Sequence, residues 1–370
     1  MRKSKAWIGL DVHKNSITMA VFTGKSKSPY LVIKIPNDIS KLTTKLTRLK
    51  KNFSLKICYE AGCTGTFIYR KLVKKGFDCQ IIAPSLMPRD VKKLKTDKRD
   101  AMQLANLLRA ELLTPITVID EELENARDII RFRESQVGQR TQVMQQIHSF
   151  LLRKGIALKS NSGWTKTFVA DLKKMPLEGS GKTLLNKYIS HYEYMDRCVQ
   201  ESDADIETLA QNDRFKELVS IFSGFRGIKT LSALTIITHL PDFRCFHSPK
   251  KLMSYTGLIP KEMSSGETVK KGGITKNGQS LLRKALINSA GFYSPGRGSN
   301  MHLKKRQANL SSEVIEICNR SERRLRVKFN TILAAGKTYN TTKCAVAREL
   351  VGFLWEAAMV YYKGELKEVG

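Results

Sequence analysis

Trp7-Ile8-Gly9-Leu10-Asp11-Val12-His13-Lys14 is the stretch on which the fold turns: an apolar run closes on a carboxylate, and a turn signal follows at Lys14-Asn15. An acid ending an apolar strand is costly unless a cation or hydrogen-bond donors meet it, so Asp11 asks for a reason. Working outward, Ala6–Asp11, Ser16–Phe22 and Tyr30–Ile35 are short runs rich in β-branched and aromatic residues, which predicts a three-stranded meander. Ile39, Leu42, Leu46 and Leu49 then recur at helical spacing after Asn37 or Asp38 as a cap, predicting a helix over 37–51. Leu55–Ala61 reads as the next strand and ends on Glu60, as the first ends on Asp11. A helix through Phe67, Ile68, Leu72 and Val73, a strand over Phe77–Ala83 and a helix over Asp97–Leu112 complete the α/β region. Asp97 and Asp100 lie three apart at the start of that last helix, on one face.

Beyond residue 112 the pattern turns helical. Leu123, Ile130, Val137, Met144 and Leu151 fall seven apart, with Ala126, Arg133, Arg140 and Ile147 as a mixed second seam. Leu185, Tyr192, Val199 and Ile206 form a cleaner series, with Tyr188, Met195 and Leu209 beside it and Ser202 as the exception. Two long helices joined over 155–182 suggest an antiparallel coiled-coil arm, either packed on its own chain or joining protomers. A third region opens with Gly224 and Gly227, continues through an apolar helix over Leu231–Leu240 and a Gly- and Lys-rich segment over Thr256–Gly278, and reaches a helix over Gln279–Ala290. The tail carries Arg320, Arg323, Arg324, Arg326 and Lys328 and an apolar helix around Leu350–Tyr361. The expected domains are 1–112, α/β; 113–220, the arm; and 221–370, mostly helical.

Against 64 Lys and Arg stand 34 Asp and Glu, a net charge of +30, which points to a polyanionic partner, nucleic acid before a membrane surface. The cations are spread along the chain, and no long uncharged apolar stretch, signal peptide or lipidation motif is seen, so no membrane role is expected. Seven cysteines without a C-x-x-C pair give no structural zinc pattern. Cys58 and Cys79 in strand-like runs fit core thiols in a reducing cytosolic setting.

Asp11, Glu60, Asp97 and Asp100 are four carboxylates that one metal site could gather. Magnesium, with manganese as its substitute, is held by a few carboxylates and completed by water and phosphate, as in phosphoryl transfer. Each acid alone also fits a cap or turn role; their joint placement in this element order carries the reading.

That order, with acids on the first strand, the fourth strand and the last helix, resembles the RNase H fold in its RuvC-like form. Trp7–Lys14, Tyr59-Glu60-Ala61-Gly62 and Lys95-Thr96-Asp97-Lys98-Arg99-Asp100-Ala101 are similar to the three signatures of the DEDD insertion-sequence transposases related to the pilin-gene invertase Piv. Phe243–Phe246, Tyr255–Pro260, Ser264-Ser265-Gly266, Gly273–Gly278 and Leu282-Arg283 resemble the C-terminal domain of the same family. The resemblance implies a DNA recombinase whose serine before glycine, Ser265 here with Ser264 the weaker alternative, is the nucleophile. It further implies guidance by a structured non-coding RNA and assembly as dimers and tetramers.

Lys92, Lys93, Lys95, Lys98 and Arg99 flank the helix acids, and Lys270, Lys271, Lys276, Arg283 and Lys284 crowd the serine segment; both groups are expected to contact phosphates. Two other readings use the same residues differently. A RuvC-like nuclease would need the acids and water but not Ser265, and a non-enzymatic nucleic-acid-binding protein would use the acids structurally.

Overall fold

Alternation in the first strands sorts side chains onto two faces of a sheet, and each face receives its own helices. The computed structural model describes residues 3–62, 64–84, 96–158, 163–240, 242–265, 268–296 and 301–368, with backbone alone at 263–265, 268–271 and 365–368. The chain divides into two units, Met1–Val118 and Ile119–Gly370.

In the first unit, β1 (Ser4–Val12), β2 (Ser16–Thr23) and β3 (Leu31–Pro36) form the antiparallel meander. α1 (Ile39–Asn52) follows, capped by Asp38, whose carboxylate accepts from the Ser40 and Lys41 amides. β4 (Phe53–Glu60), α2 (Phe67–Lys74), β5 (Asp78–Ile82) and α3 (Asp97–Arg109) complete the unit. The sheet order is β3-β2-β1-β4-β5, with β1–β4 and β4–β5 parallel. Ala6, Ile8 and Leu10 join Ile17, Met19, Val21, Ile57 and Tyr59 beneath Leu42 and Leu46 of α1 and Ile68 and Leu72 of α2. The opposite face carries α3: Cys58 and Ile82 pack with Leu104 and Leu108, and Trp7 lies against them. Gly9 lets that helix approach, since a Cβ there would sit 2.2 Å from the Ala101 carbonyl oxygen. α3 stops at Arg109, short of the expected 112, because Glu111 takes a left-handed backbone at φ 56°.

The second unit begins with α4 (Glu121–Arg153), α5 (Lys166–Lys173) and α6 (Gly179–Ala210). α4 and α6 run antiparallel. Arg133 bonds Asp203 at 2.8 Å and Arg140 bonds Asp196 at 2.5 Å, so two of the mixed seam positions carry ion pairs between the helices. The strict seven-residue series on α4 does not hold: Val143 and Phe150 are buried, while Val137 and Met144 are only half-buried. The seam moves back one residue, to Gln136, Val143 and Phe150, although Leu151 is buried as well. On α6, Leu185, Tyr192, Val199 and Ile206 are all buried within their own chain. The first two pack with Val143, Ile147 and Phe150 of α4 and Leu172 of α5, and Ile206 packs with Ala126 and Ile130.

α7 (Asp213–Ser223), α8 (Thr230–His239) and α9 (Pro249–Tyr255) lead to a hairpin of β6 (Pro260–Ser265) and β7 (Thr268–Ile274), inside the Gly- and Lys-rich segment for which no strands were expected. α10 (Ser280–Ala290), α11 (Met301–Gln307), α12 (Ser312–Ala334) and α13 (Tyr339–Glu368) follow. Phe222, Phe225, Leu234, Leu252, Leu286, Phe329 and Leu350 share one core. The basic run lies on α12 and ties it to α13: Arg320 pairs with Glu356, and Arg324 and Lys328 with Glu349.

Candidate metal centre

Register builds the site. Asp11 of β1 pairs with Thr18 of β2, which pairs with Lys34 of β3, so the three form a row across the sheet on the face that carries α3. On the other side Leu10 pairs with Tyr59, and Asp11 and Glu60 stand one residue further along two parallel strands. The carboxyl ends of parallel strands are where open α/β sheets bind ligands. Above the row lies the first turn of α3, where the Thr96 hydroxyl accepts from the Arg99 amide and Asp97 and Asp100 sit at the positive end of the helix dipole.

Asp11, His13 and Asp97 each offer a ligand atom within 4.8 Å of the others. His13 Nε2 is 3.1 Å from Asp11 Oδ2 and 3.6 Å from Asp97 Oδ1. Lys34 Nζ donates to Asp97 Oδ2 at 2.7 Å. Burial pushes the Asp11 carboxyl above its ordinary value; the His13 ring pulls it down, and Asp97 and Asp100 push it up. Asp97 is held below its ordinary value, chiefly by the hydrogen bond from Lys34. Asp11 and Asp97, far apart in sequence, are thus brought together. Glu60 is exposed at the end of β4 and Asp100 half-buried in α3; neither belongs to the close group.

His13 and Lys34 were missed by the sequence reasoning. The signal for His13 was its place two residues after the strand acid, at the start of the turn that follows β1. Nothing local marks Lys34, which reaches the site only through pairing across β2.

In the second unit, Ser265 ends β6 opposite Thr268, and Ser264 stands opposite Val269. Their side chains, and those of Lys270 and Lys271 on β7, lie outside the described residues, as do Lys92, Lys93 and Lys95 entirely. Two glycines interlock at the hairpin's foot. A Cβ on Gly257, at φ 68°, would meet Asn277 N at 2.4 Å, and one on Gly278, at φ 69°, would meet Tyr255 O at 2.4 Å. Of the expected phosphate contacts, Lys98, Arg99 and Lys276 are exposed. Arg283 donates to the carbonyl oxygens of Asn277 and Gly278, and Lys284 pairs with Glu134 of α4, so both brace their own unit.

Residues 8–155, which contain all four acids, match the DEDD transposase domain of the IS110 group, and residues 219–297, which contain Ser265, match the transposase IS116/IS110/IS902 family. "Putative transposase y4qE" of Sinorhizobium fredii is 32% identical over 363 residues, 96% of this chain and 88% of that protein. The chain belongs to the IS116/IS110/IS902 family of transposases. The transposase for insertion sequence element IS1533 of Leptospira borgpetersenii is 28% identical over 341 residues, 89% of this chain and 97% of that one. The transposase for IS1111A of Coxiella burnetii is 24% identical over 229 residues, 60% of this chain and 61% of that one. As a transposase of this family the protein is a DNA strand-transferring enzyme, and DEDD transposases generally use divalent metal. Among the described residues no helix is long and apolar enough to cross a membrane.

Proposed function

We propose that this transposase cuts and rejoins DNA through an RNase H-like, RuvC-like domain over 1–112 whose Asp11, Glu60, Asp97 and Asp100 hold magnesium, with manganese as substitute, and through Ser265 as nucleophile in a C-terminal domain over 221–370. The arm over 113–220 connects them in sequence. The observation that carries the metal reading is the meeting of Asp11 and Asp97 at the carboxyl end of β1, where burial and neighbouring acids leave the Asp11 charge in want of a cation. The donor set fits: carboxylate oxygens suit a hard divalent ion that keeps open positions for water and phosphate. When bound, such an ion supplies Lewis-acid stabilisation of the charge on the phosphoryl group.

Ser265 Oγ gives up its proton and forms a bond to phosphorus as the bond from phosphorus to the departing sugar oxygen breaks, and that oxygen leaves as a hydroxyl, taking up one proton in exchange. The serine ester keeps the phosphodiester energy until the hydroxyl of a new strand attacks it and releases the serine. Lys98 and Arg99, exposed beside the α3 acids, and Lys276 anchor phosphates; Lys92, Lys93, Lys95, Lys270 and Lys271 extend the basic edges in sequence. A structured guide RNA, a dimeric or tetrameric assembly and a cytoplasmic setting complete the reading; the charge of +30 suits an RNA bound through phosphates and 2′-hydroxyls.

The test is a denaturing gel of stalled reactions on the element's own ends. Wild type yields a DNA-linked protein whose adduct maps to Ser265, Ser265→Ala loses both adduct and cleavage while binding DNA, and Ser264→Ala retains activity. Undiminished cleavage by Ser265→Ala would make the protein a nuclease that uses water.

A further inference from the structure

We propose that His13 is itself a ligand of the metal held by Asp11 and Asp97, and that its imidazole makes the site bind transition-metal divalents such as manganese more tightly than the carboxylates alone would. This rests on the reading of those two acids as metal ligands and adds a residue outside the four carboxylates.

The backbone of His13 is fastened from two sides. Its amide donates to the Ser16 carbonyl at 2.9 Å, and Asn37 Nδ2 donates to its carbonyl at 2.8 Å, so the ring springs from a fixed point on the turn between β1 and β2. In an octahedral site with bonds of about 2.1 Å, neighbouring ligand atoms lie about 3.0 Å apart and opposite ones about 4.2 Å. The separations of 3.1 and 3.6 Å from Nε2 to the two carboxylates, with all three atoms within 4.8 Å, fall close to that scale. Asp97 is split to suit: Lys34 occupies Oδ2, and Oδ1 faces His13.

Stability offers no competing reason for the arrangement. The His13 side chain is more than half exposed, and an exposed ion pair contributes little. A ring nitrogen with one proton serves one carboxylate, and the second, at 3.6 Å, is beyond hydrogen-bond reach. Nearby, Thr18, directly opposite Asp11 on the same face, is 1% exposed, and its Oγ1 has no hydrogen-bond partner among the described residues. Buried hydroxyls are seldom left so, and a water carried on a bound ion would satisfy it.

Carboxylates alone suit magnesium and manganese alike, whereas imidazole favours transition metals. The experiment titrates the full-length protein with Mn2+, followed by electron paramagnetic resonance, and then displaces Mn2+ with Mg2+. Wild type should show 14N coupling to the bound ion. His13→Gln should lose that coupling and bind Mn2+ more weakly by about tenfold or more, since losing even an outer partner of a metal ligand costs about 10- to 100-fold, with Mg2+ affinity little changed and an unaltered circular dichroism melt. Asp11→Asn should lose both ions. Wild type without 14N coupling, or His13→Gln binding Mn2+ as wild type does, overturns the proposal while an Asp11→Asn loss leaves the carboxylate site standing. Undiminished Mn2+ binding by Asp11→Asn removes the carboxylate site and the proposal together.

Discussion

Gly9→Ala tests whether the contact between β1 and α3 sets the site. The new methyl would lie 2.2 Å from Ala101 O, 2.6 Å from Ala105 N and 2.8 Å from Leu104 Cβ. The first two are backbone atoms of α3 and have no rotamer by which to retreat. Restoring ordinary contact therefore requires strand and helix to part by about 1 Å. Overpacking of this kind costs about 1–3 kcal/mol, read as a fall of roughly 5 °C or more in the melting of the N-terminal unit. The functional consequence should be larger. Gly9 stands two residues before Asp11, and Ala101 follows Asp100, so the parting moves the α3 acids directly away from the strand acid. A misplacement of about 1 Å at a reacting centre costs about a hundredfold in rate. Differential scanning calorimetry and a gel assay of strand cleavage measure the two effects, with DNA binding as a control that should stay near wild type. A Gly9→Ala protein that melts and cleaves as wild type does would refute the packing argument.

Asp11→Asn, Glu60→Gln and Asp100→Asn should each abolish cleavage and spare nucleic-acid binding, seen in paired gel-shift and cleavage assays; normal recombination by any folded variant removes that acid from the site. Leu185→Glu with Val199→Glu puts carboxylates into buried positions at a cost of about 2–5 kcal/mol each. Loss of helical circular dichroism is expected, whereas wild-type helicity with a reduced mass by light scattering would place the seam between protomers. His239 is fully buried, and burial, followed by Arg127 and Arg131, lowers its pKa from 6.5 to about 4. Between those values the unfolded ring takes a proton that the folded ring refuses, so stability should fall by about 3 kcal/mol as pH drops through the window. Urea unfolding at several pH values should show that slope and its loss in His239→Gln; an unchanged slope would contradict it.

What the sequence determined by itself was local and periodic. Alternation marked the strands, spacing of three and four marked the helices, and acids closing apolar strands marked Asp11 and Glu60, because each signal lies within one element. The meander and the helix that begins at Asp97 were legible for that reason. Tertiary structure decided what depends on register and on which element packs where. Lys34 reaches Asp97 only because β3 pairs with β2 and β2 with β1 in one particular alignment. The basic run on α12 has its partners Glu349 and Glu356 on α13, and Arg283 and Lys284, which the sequence offered as phosphate contacts, are drawn to nearby carbonyls and to Glu134. The hairpin whose first strand ends at Ser265 stayed hidden for a related reason. Its glycines and lysines carry no alternating apolar pattern, and its foot is held by the close approach of Gly257 to Asn277 and of Gly278 to Tyr255. Periodicity reports which face of an element is buried, whereas a polar side chain's partner is set by distances between elements that no single stretch of sequence encodes.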